Sequence, residues 1–368
     1  MKTTNKNLGS NQKRILVAPL NWGLGHATRC IPIINELIHH GFQPIIASDG
    51  IALQLLQKEF PYLETFELPS YNITYSKKPK HLRLKLLKDT PHLLKTAKKE
   101  QKAIAQYIAT NSICGIISDN RFGVRNKNIP SVFISHQLRV LSGNTTWLST
   151  KIHQNIISKF DECWIPDFGD KKNLSGILGH VEDFGVPLKY LGSLSRFKKQ
   201  YLKTKYELLV LLSGPEPQRT YLEEKLLTEL ASFNGNICFV KGKIETQQTI
   251  TEQNNMLIYN YMTSAELENT INVSKMVLCR SGYTTIMDLA KLEKKVFFIP
   301  TSGQYEQEYL AEKLESEGIA PYCHQDNFTV DLLSQIDHYS GMTFKTNELN
   351  FEELFRLFQS ERKLTTNT

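Results

Sequence analysis

Short apolar runs alternate with stretches of helical spacing along nearly the whole chain. The first run, residues 15–18, is short enough to be a buried strand, and a turn with Gly23 and Gly25 follows it. Residues 31–38 then place isoleucine and leucine at helical spacing. Strand, glycine turn and helix form the first unit of a parallel α/β sheet, and such sheets bind ligands at the carboxyl ends of their strands.

The same alternation predicts an α/β protein made of two doubly wound halves. Apolar runs predict the strands, and stretches with helical spacing predict the helices between them. The predicted strands after the first are residues 43–48, 64–68, 114–123, 131–137, 162–166 and 189–197, then 208–214, 236–240, 256–260, 275–282 and 295–300. The predicted helices after the first are 51–58, 82–108 with an interruption near Pro91, 146–159, 218–233, 264–273, 284–292, 305–317 and 351–359.

The polar, basic segment at residues 196–207 separates the two halves and is the natural linker. A chain of 368 residues is too long for one typical core, so two domains are expected. The predicted organisation is a flexible tail at 1–12, a first Rossmann-like domain at 13–197, a linker at 198–206, a second Rossmann-like domain at 207–345, and a closing helix and tail at 346–368.

The composition is that of a globular protein, with 40% hydrophobic and 22% charged residues. The six cysteines are widely scattered and form no Cys-x-x-Cys pair, which favours reduced core thiols over disulfides or a metal site. Residues 1–12 lack the apolar segment of a secretory signal, and no window reaches the length of a membrane-spanning helix. We therefore expect a cytoplasmic protein.

The 44 basic residues exceed the 37 acidic ones, giving a net charge of +7, and many of them crowd the segment Lys77–Lys102. Leucine and isoleucine interleave with the lysines, so the segment is a basic amphipathic helical stretch. It is either a solvated helix face or a surface that contacts anionic lipid on the inner face of the cytoplasmic membrane. Nucleic acid is not expected as a partner, because stacking aromatics and nucleic-acid motifs are missing from the sequence.

Polar side chains gather at the predicted strand ends of the first domain. His26 and Arg29 follow the glycine turn, where a histidine can take a proton near neutral pH and an arginine can hold an anion. The same sheet edge receives further polar side chains from the next strands: Asp119, Asn120, Arg121 and His136. The residues expected to bind acceptor or phosphate here are Gly23, Gly25, Arg29, Asn120, Arg121 and His136. Thr28 stands where a dinucleotide site has its third glycine, so a NAD site is disfavoured. The alternative is that Gly23 and Gly25 only shape a turn that His26 caps.

The second domain carries a related arrangement over residues 279–320. Ser281 and Gly282 form a strand-to-helix turn, and Thr284 and Thr285 can bond an anion at the start of the helix. Asp288 lies one turn along, which suits a carboxylate that binds the two hydroxyls of a ribose. After the next strand, polar residues at 301–304 and 306–308 can bind sugar hydroxyls. Each of these residues alone could equally be a surface polar group.

Over nearly its whole length the chain resembles the GT-B glycosyltransferases of the MurG type, which move GlcNAc from UDP onto a lipid-linked muramyl peptide. The residues that carry the resemblance are GLGHATR at 23–29, ISHQ at 134–137, and a pattern of Ser-Gly, acidic residue, proline and glutamine at Ser281, Gly282, Asp288, Pro300 and Gln307. The resemblance implies that the first domain binds the acceptor and that the second binds a nucleotide sugar. We expect this nucleotide sugar to be UDP-linked.

The resemblance also implies roles for individual residues. Asp288 would hold the ribose, Gln307 and Glu308 the donor sugar, and Ser213 and Gly214 the phosphates. The sequence departs from the family where aspartate replaces glutamate at Asp288 and where prolines interrupt the loop at 213–219. ISHQ lacks the family's closing asparagine, so we expect an acceptor other than the peptidoglycan precursor.

The predicted reaction is an inverting displacement at the anomeric carbon onto a lipid or cell-envelope acceptor. His26 takes the proton of the acceptor hydroxyl, Asp119 orients the imidazole, and Arg219 or Arg280 offsets the charge of the departing diphosphate. The sequence has no Asp-x-Asp motif, so no metal and no other cofactor is expected. Two alternatives remain open: a nucleotide-sugar hydrolase of the same fold, and a nucleotide-sugar-binding protein without catalysis.

Overall fold

Two sheets, one parallel and one parallel except for an edge strand, form the framework of the chain in a computed structural model. The structure describes residues 13–72, 82–182, 184–214, 216–243, 245–344 and 349–359, with residues 82–90 as backbone only. The tail at 1–12 and the first part of the basic segment therefore lie outside the described residues.

The first sheet has seven strands in the order β3-β2-β1-β4-β5-β6-β7, all parallel. Residues 15–18 of the first strand are fully buried, as expected for a parallel strand with helices on both faces. The strand order reverses between β1 and β4, and this is the position where such sheets bind ligands. The strands are β1 Arg14–Pro19, β2 Gln43–Ser48, β3 Thr65–Glu67, β4 Ile113–Asp119, β5 Ser131–Ile134, β6 Glu162–Ile165 and β7 Leu188–Tyr190.

The second sheet has six strands in the order β10-β11-β9-β8-β12-β13, and its order reverses between β8 and β12. The edge strand β10 is antiparallel to β11 and is absent from the sequence prediction. Its four residues are all exposed, so no buried apolar run marks it. The strands are β8 Tyr206–Leu211, β9 Ile237–Val240, β10 Ile250–Gln253, β11 Met256–Tyr259, β12 Ser274–Cys279 and β13 Lys295–Phe298.

Helices connect the strands and cover the sheets. The predicted interruption of the basic helix near Pro91 is wrong, because α3 runs unbroken through the proline. A proline removes one backbone hydrogen bond of a helix, and the helix-forming residues on both sides outweigh that loss here. The α-helices are α1 Gly25–His39, α2 Gly50–Glu59, α3 Leu82–Thr110, α4 Thr146–Ile157, α5 Gln218–Glu229, α6 Ser264–Asn272, α7 Tyr283–Lys291, α8 Tyr305–Ser316 and α9 Phe351–Phe355.

The closing helix α9 packs on the first domain, not on the second. Phe355 contacts the rings of Phe42 and Trp164, and Phe358 lies against Gly115 of β4. The chain therefore crosses between the domains twice. The α/β class with two doubly wound sheets is confirmed.

Candidate functional site

The site lies where the turn before α1 meets the start of α7 across the interdomain cleft. A methyl group added to Gly25 would lie 2.5 Å from the Oγ1 atom of Thr284. Both turns sit at the carboxyl ends of strands beside the two order reversals, β1 and β4 in the first sheet and β8 and β12 in the second. The fold thus brings the two predicted groups of polar residues into contact.

His26 is paired with Asp119 at the end of β4. The Nδ1 atom of His26 lies 2.9 Å from Oδ1 of Asp119, which is fully buried, and 2.8 Å from Nη2 of Arg29. If Nδ1 carries the proton and donates it to the carboxylate, Nε2 keeps its lone pair. Among the described residues no hydrogen bond reaches Nε2. The imidazole is therefore oriented by the carboxylate and has one nitrogen left for another molecule.

The sequence predicts that Arg29 holds an anion, but its side chain does not face outward. It is 2% exposed, and its guanidinium donates to both oxygens of Asp119, with Nε at 2.6 Å from Oδ2. The carboxylate that pairs with this cation lies at the end of the neighbouring strand β4, 90 residues further along the sequence. The predicted contact of Arg29 with acceptor or phosphate remains a prediction.

His136 extends this network across the cleft. Its Nδ1 atom lies 3.3 Å from Nη1 of Arg29, and its Nε2 atom lies 2.7 Å from Oε1 of Glu306 on α8. The ring also stacks on Tyr283 of α7 at 3.9 Å between centroids. Both ring nitrogens have protein partners, and the predicted contact of His136 with acceptor or phosphate remains a prediction. The sequence did not predict the contacts of Glu306, because its partners come from the other domain.

Burial and charge set the protonation states of this network. Burial lowers the pKa of His26, and the nearby Asp119 opposes that effect without overcoming it. Burial alone would raise the pKa of Asp119, but Arg29 and then His26 outweigh it and hold that pKa below its usual value. The site thus presents a neutral imidazole beside an ionised carboxylate near neutral pH.

Arg121 is buried and paired within the first domain, and its predicted contact with acceptor or phosphate remains a prediction. Its buried guanidinium pairs with Glu100 at 2.6 Å and with Asp49 at 2.7 Å. Asn120, between Asp119 and Arg121, adopts a left-handed conformation with φ of 58° that asparagine tolerates well. Its predicted role remains a prediction.

On the donor side, α7 begins at the turn with Gly282, Thr284 and Thr285, which are partly exposed. Helix amino-termini bind anions because their first N–H groups lack partners within the helix. The hydroxyl of Ser281, by contrast, is buried and donates to the carbonyl of Gln307 at 2.7 Å. The hydroxyl of Ser281 therefore ties the turn to α8, and its predicted donor contact remains a prediction.

Asp288 lies one turn along α7, where it accepts a hydrogen bond from the Ser195 hydroxyl at 2.5 Å. Ser195 belongs to the segment that leads out of the first domain, and its neighbour Ser193 donates to the carbonyl of Met287. Burial raises the pKa of Asp288 to about 6, and the hydrogen bond from Ser195 and the charge of Arg196 act against that rise. The sequence analysis did not single out Ser195.

The two arginines predicted to offset diphosphate charge are both buried among protein partners. Arg219 pairs with Glu216 and Glu223 and donates to the carbonyl of Lys241. Arg280 donates to three backbone carbonyls and to Oε1 of Gln325. Both guanidiniums are thus held within the second domain, although Nε of Arg280 is buried without a hydrogen-bond partner among the described residues. Their contact with the diphosphate remains a prediction.

The remaining predicted donor residues surround the loop after β13 and the turn after β8. Ser213 and Gly214 are exposed at the end of β8. Gln307 accepts from the backbone N–H of Thr301, and Glu308 accepts from that of Gly303. These two side chains hold the loop in shape, and their contact with a sugar remains a prediction.

Three further observations concern ions, thiols and membranes. Within the described ranges, no group of three or more His, Cys, Asp or Glu side chains is arranged to hold a metal ion. All six cysteines are free thiols. In the part of the chain that the structure describes, no helix has the length and apolar content to cross a membrane.

Comparison with known proteins agrees with this geometry. Residues 219–350 match the family described as glycosyltransferase family 28 C-terminal domain. A UDP-N-acetylglucosamine--N-acetylmuramyl-(pentapeptide) pyrophosphoryl-undecaprenol N-acetylglucosamine transferase from Haemophilus ducreyi is 24% identical over 221 residues, which are 57% of each protein. The chain thus matches little more than half of that relative's length.

Solved structures share the fold at low sequence identity. The glycotransferase of kitacinnamycin superposes with a TM-score of 0.62 at 12% identity, over 89% of each chain. MurG from Acinetobacter baumannii gives 0.54 at 13% identity, over 89% of this chain and 90% of that one. The spinosyn rhamnosyltransferase SpnG gives 0.60 at 13% identity, over 94% and 95%. The chain therefore has the GT-B fold of these glycosyltransferases.

Proposed function

We propose that this chain, a GT-B glycosyltransferase with a family 28 C-terminal domain, moves a sugar from a nucleotide-sugar donor to a lipid or cell-envelope acceptor hydroxyl. One observation carries the proposal. The neutral His26, oriented by Asp119, lies next to the junction at which Gly25 meets Thr284 of α7. A base on one side of the cleft therefore faces an anion-binding helix start on the other.

The proposed reaction is a single displacement with inversion. Nε2 of His26 removes the proton of the acceptor hydroxyl as that oxygen bonds to the anomeric carbon. The bond from the anomeric carbon to the diphosphate oxygen breaks at the same time, and the diphosphate leaves with its electron pair. The amino-terminal N–H groups of α7 stabilise the charge that develops on the diphosphate. No metal is part of the proposed reaction.

The proposed donor is UDP-linked. The name of the Haemophilus ducreyi relative contains such a donor, and Asp288 lies one turn beyond the proposed phosphate site. Its carboxylate is available to ribose hydroxyls through the oxygen that Ser195 does not occupy.

The proposed acceptor is lipid-linked and is reached at the surface of the cytoplasmic membrane. The relative's name contains a pyrophosphoryl-undecaprenol acceptor, and the described part of α3 exposes Lys95, Lys98, Lys99 and Lys102. Each basic group near an anionic membrane surface is worth about 1 kcal/mol. The protein should co-sediment with anionic vesicles at low salt and be released by added salt, whereas equal binding to neutral vesicles would contradict this part of the proposal.

The test of the proposed function is incubation with a panel of nucleotide sugars, with and without membrane lipid. His26→Ala should lower kcat by about two to four orders of magnitude, the usual effect of losing a positioned base. Donor affinity should change little, because the donor contacts lie mainly on the second domain. His39→Ala is the matched control, since His39 is exposed at the far end of the same helix. Added chelator should leave the rate unchanged.

Each failure points to a different function. Full transfer by His26→Ala would remove this histidine from the reaction. Release of free sugar that no lipid diminishes would indicate a hydrolase. Nucleotide-sugar binding without turnover in any arm would indicate a protein that binds and does not catalyse.

A further inference from the structure

Glu306 of the second domain closes a chain of polar contacts that begins at the base of the first domain. Its Oε1 atom accepts from Nε2 of His136 at 2.7 Å, and its Oε2 atom accepts from the side-chain amide of Gln137. Both donors follow β5 of the first domain. The proposed mechanism makes no use of this carboxylate, although it lies on the loop and helix expected to face the donor sugar.

The directions of the hydrogen bonds follow from the one partner that can only donate. Arg29 has no acceptor, so its Nη1 donates to Nδ1 of His136. His136 is then neutral with its proton on Nε2, and it donates that proton to Glu306. On its other side, Arg29 donates to both oxygens of Asp119, and its Nη2 atom also lies 2.8 Å from Nδ1 of His26. Once His26 is protonated, Nδ1 has no lone pair for Arg29 and donates to Oδ1 of Asp119, 2.9 Å away. Arg29 thus joins the two histidines into one network.

Glu306 changes the net charge of this network. The charge of Asp119 is already balanced by Arg29, so this pair alone offers no net negative charge to a protonated His26. Glu306 adds one negative charge from across the cleft. Because the network is largely buried, charges in it act on one another at lower effective dielectric than in water.

We propose that Glu306 is a positioning residue that supplies, when the two domains are closed, the counter-charge for the imidazolium formed on His26 during transfer. The inference rests on the proposed function, in which His26 is the base. It makes catalysis depend on closure, because the counter-charge sits on the donor-binding domain and the base on the other.

Two other titratable groups that contact the network, Cys30 and Tyr283, are neutral near pH 7. Cys30 on α1 lies 3.7 Å from Oδ2 of Asp119, and burial raises the pKa of its thiol. Tyr283 on α7 stacks on His136, and burial raises the pKa of its hydroxyl. Neither can take the place of Glu306 as a counter-charge.

The test is Glu306→Gln, which keeps the size and the acceptor oxygen for His136 while removing the charge. Gln137 can turn its own amide to accept from the new one. Glu312→Gln is the matched control, because it removes the same charge from an exposed position on the same helix. The rate of nucleotide release with acceptor present is measured as a function of pH and of donor concentration.

Loss of the counter-charge makes the imidazolium of His26 less favourable, so the acid limb of the kcat profile should move to lower pH by about 0.5 to 1 unit. The value of kcat at neutral pH should fall about threefold to tenfold, because a base weaker by about one pKa unit loses at most about tenfold in proton transfer. The donor KM should stay within about twofold of the wild-type value, since both carboxylate oxygens already have protein partners.

Two results would overturn the inference. A raised donor KM with an unchanged acid limb would make Glu306 a sugar ligand, and a lower kcat with an unmoved acid limb would make it a structural residue. If the wild-type protein shows no turnover, the proposed function fails, and the inference is still tested by NMR titration of the imidazole signals, with His26→Gln for assignment. An identical His26 titration in Glu306→Gln and wild type would then refute it.

Discussion

Replacing Gly25 by alanine tests whether the contact between the two turns is needed for turnover. The new methyl group would lie 2.5 Å from Oγ1 and 3.4 Å from Cβ of Thr284. Gly25 is the first residue of α1 and, unlike Gly23, it does not have a positive φ. Alanine is therefore compatible with the backbone, and the conflict is confined to the interface between domains.

The magnitude follows from the two opposing effects. Alanine improves on glycine within a helix by up to about 1 kcal/mol, so the free energy of unfolding should be unchanged or slightly higher. Overpacking by one methyl group costs about 1 to 3 kcal/mol, and here the domains can avoid that cost by staying apart. The closed population, and with it kcat/KM, should fall by about fivefold to 150-fold, since about 1.4 kcal/mol corresponds to tenfold.

Two further variants make the result specific. Thr284→Ala in the Gly25→Ala background removes the nearest atom and should restore most of the closed population, which small-angle scattering can follow independently of turnover. Gly23→Ala should instead lower the free energy of unfolding and leave kcat/KM nearly unchanged. At a φ of 72° alanine is strained by about 1 to 2 kcal/mol, and its methyl group would contact nothing on the other domain. Undiminished kcat/KM in Gly25→Ala, or no recovery in the double variant, would refute the reasoning.

Two other predictions follow from the buried carboxylates and their partners. Because burial raises the pKa of Asp288 to about 6, calorimetry should show UDP affinity falling below about pH 6 in the wild type, and weak, pH-independent binding in Asp288→Asn. The same raised pKa means that the native state binds more protons than the unfolded state, so this residue's contribution to stability is present at low pH and is lost as pH rises through about 6. Arg121→Met should lower the free energy of unfolding by about 3 to 5 kcal/mol in chemical denaturation, since it leaves Glu100 and Asp49 without their cation. An undiminished free energy of unfolding with weakened ligand binding would instead return Arg121 to the binding site.

The sequence was sufficient to locate the two turns and the pairing of His26 with Asp119. Apolar runs mark buried parallel strands, and parallel strands deliver whatever follows them to one sheet edge, so proximity could be inferred without coordinates. The fold class followed from the same periodicity. The exposed edge strand β10 could not be found this way, because none of its residues is buried.

The partners of the charged residues could not be read from the sequence. Arg29, Arg121 and Arg219 each looked like anion ligands, yet each lies beside a carboxylate that neutralises it. A buried guanidinium needs such a partner, but spacing along the chain does not reveal which carboxylate supplies it. The contact between His136 and Glu306 is even harder to predict from the sequence, because it depends on how the two domains meet.

The closing helix affects the order in which the protein can be made. Phe355 and Phe358 fill space between α1, β4 and β6 of the first domain, and Lys13 donates to the backbone carbonyl of Gln359. The first domain to leave the ribosome therefore lacks part of its core until residues 351–359 have been synthesised. A fragment that stops at the linker would expose Phe42 and Trp164 to water, so cutting the gene between the two sheets would not yield two independent folding units.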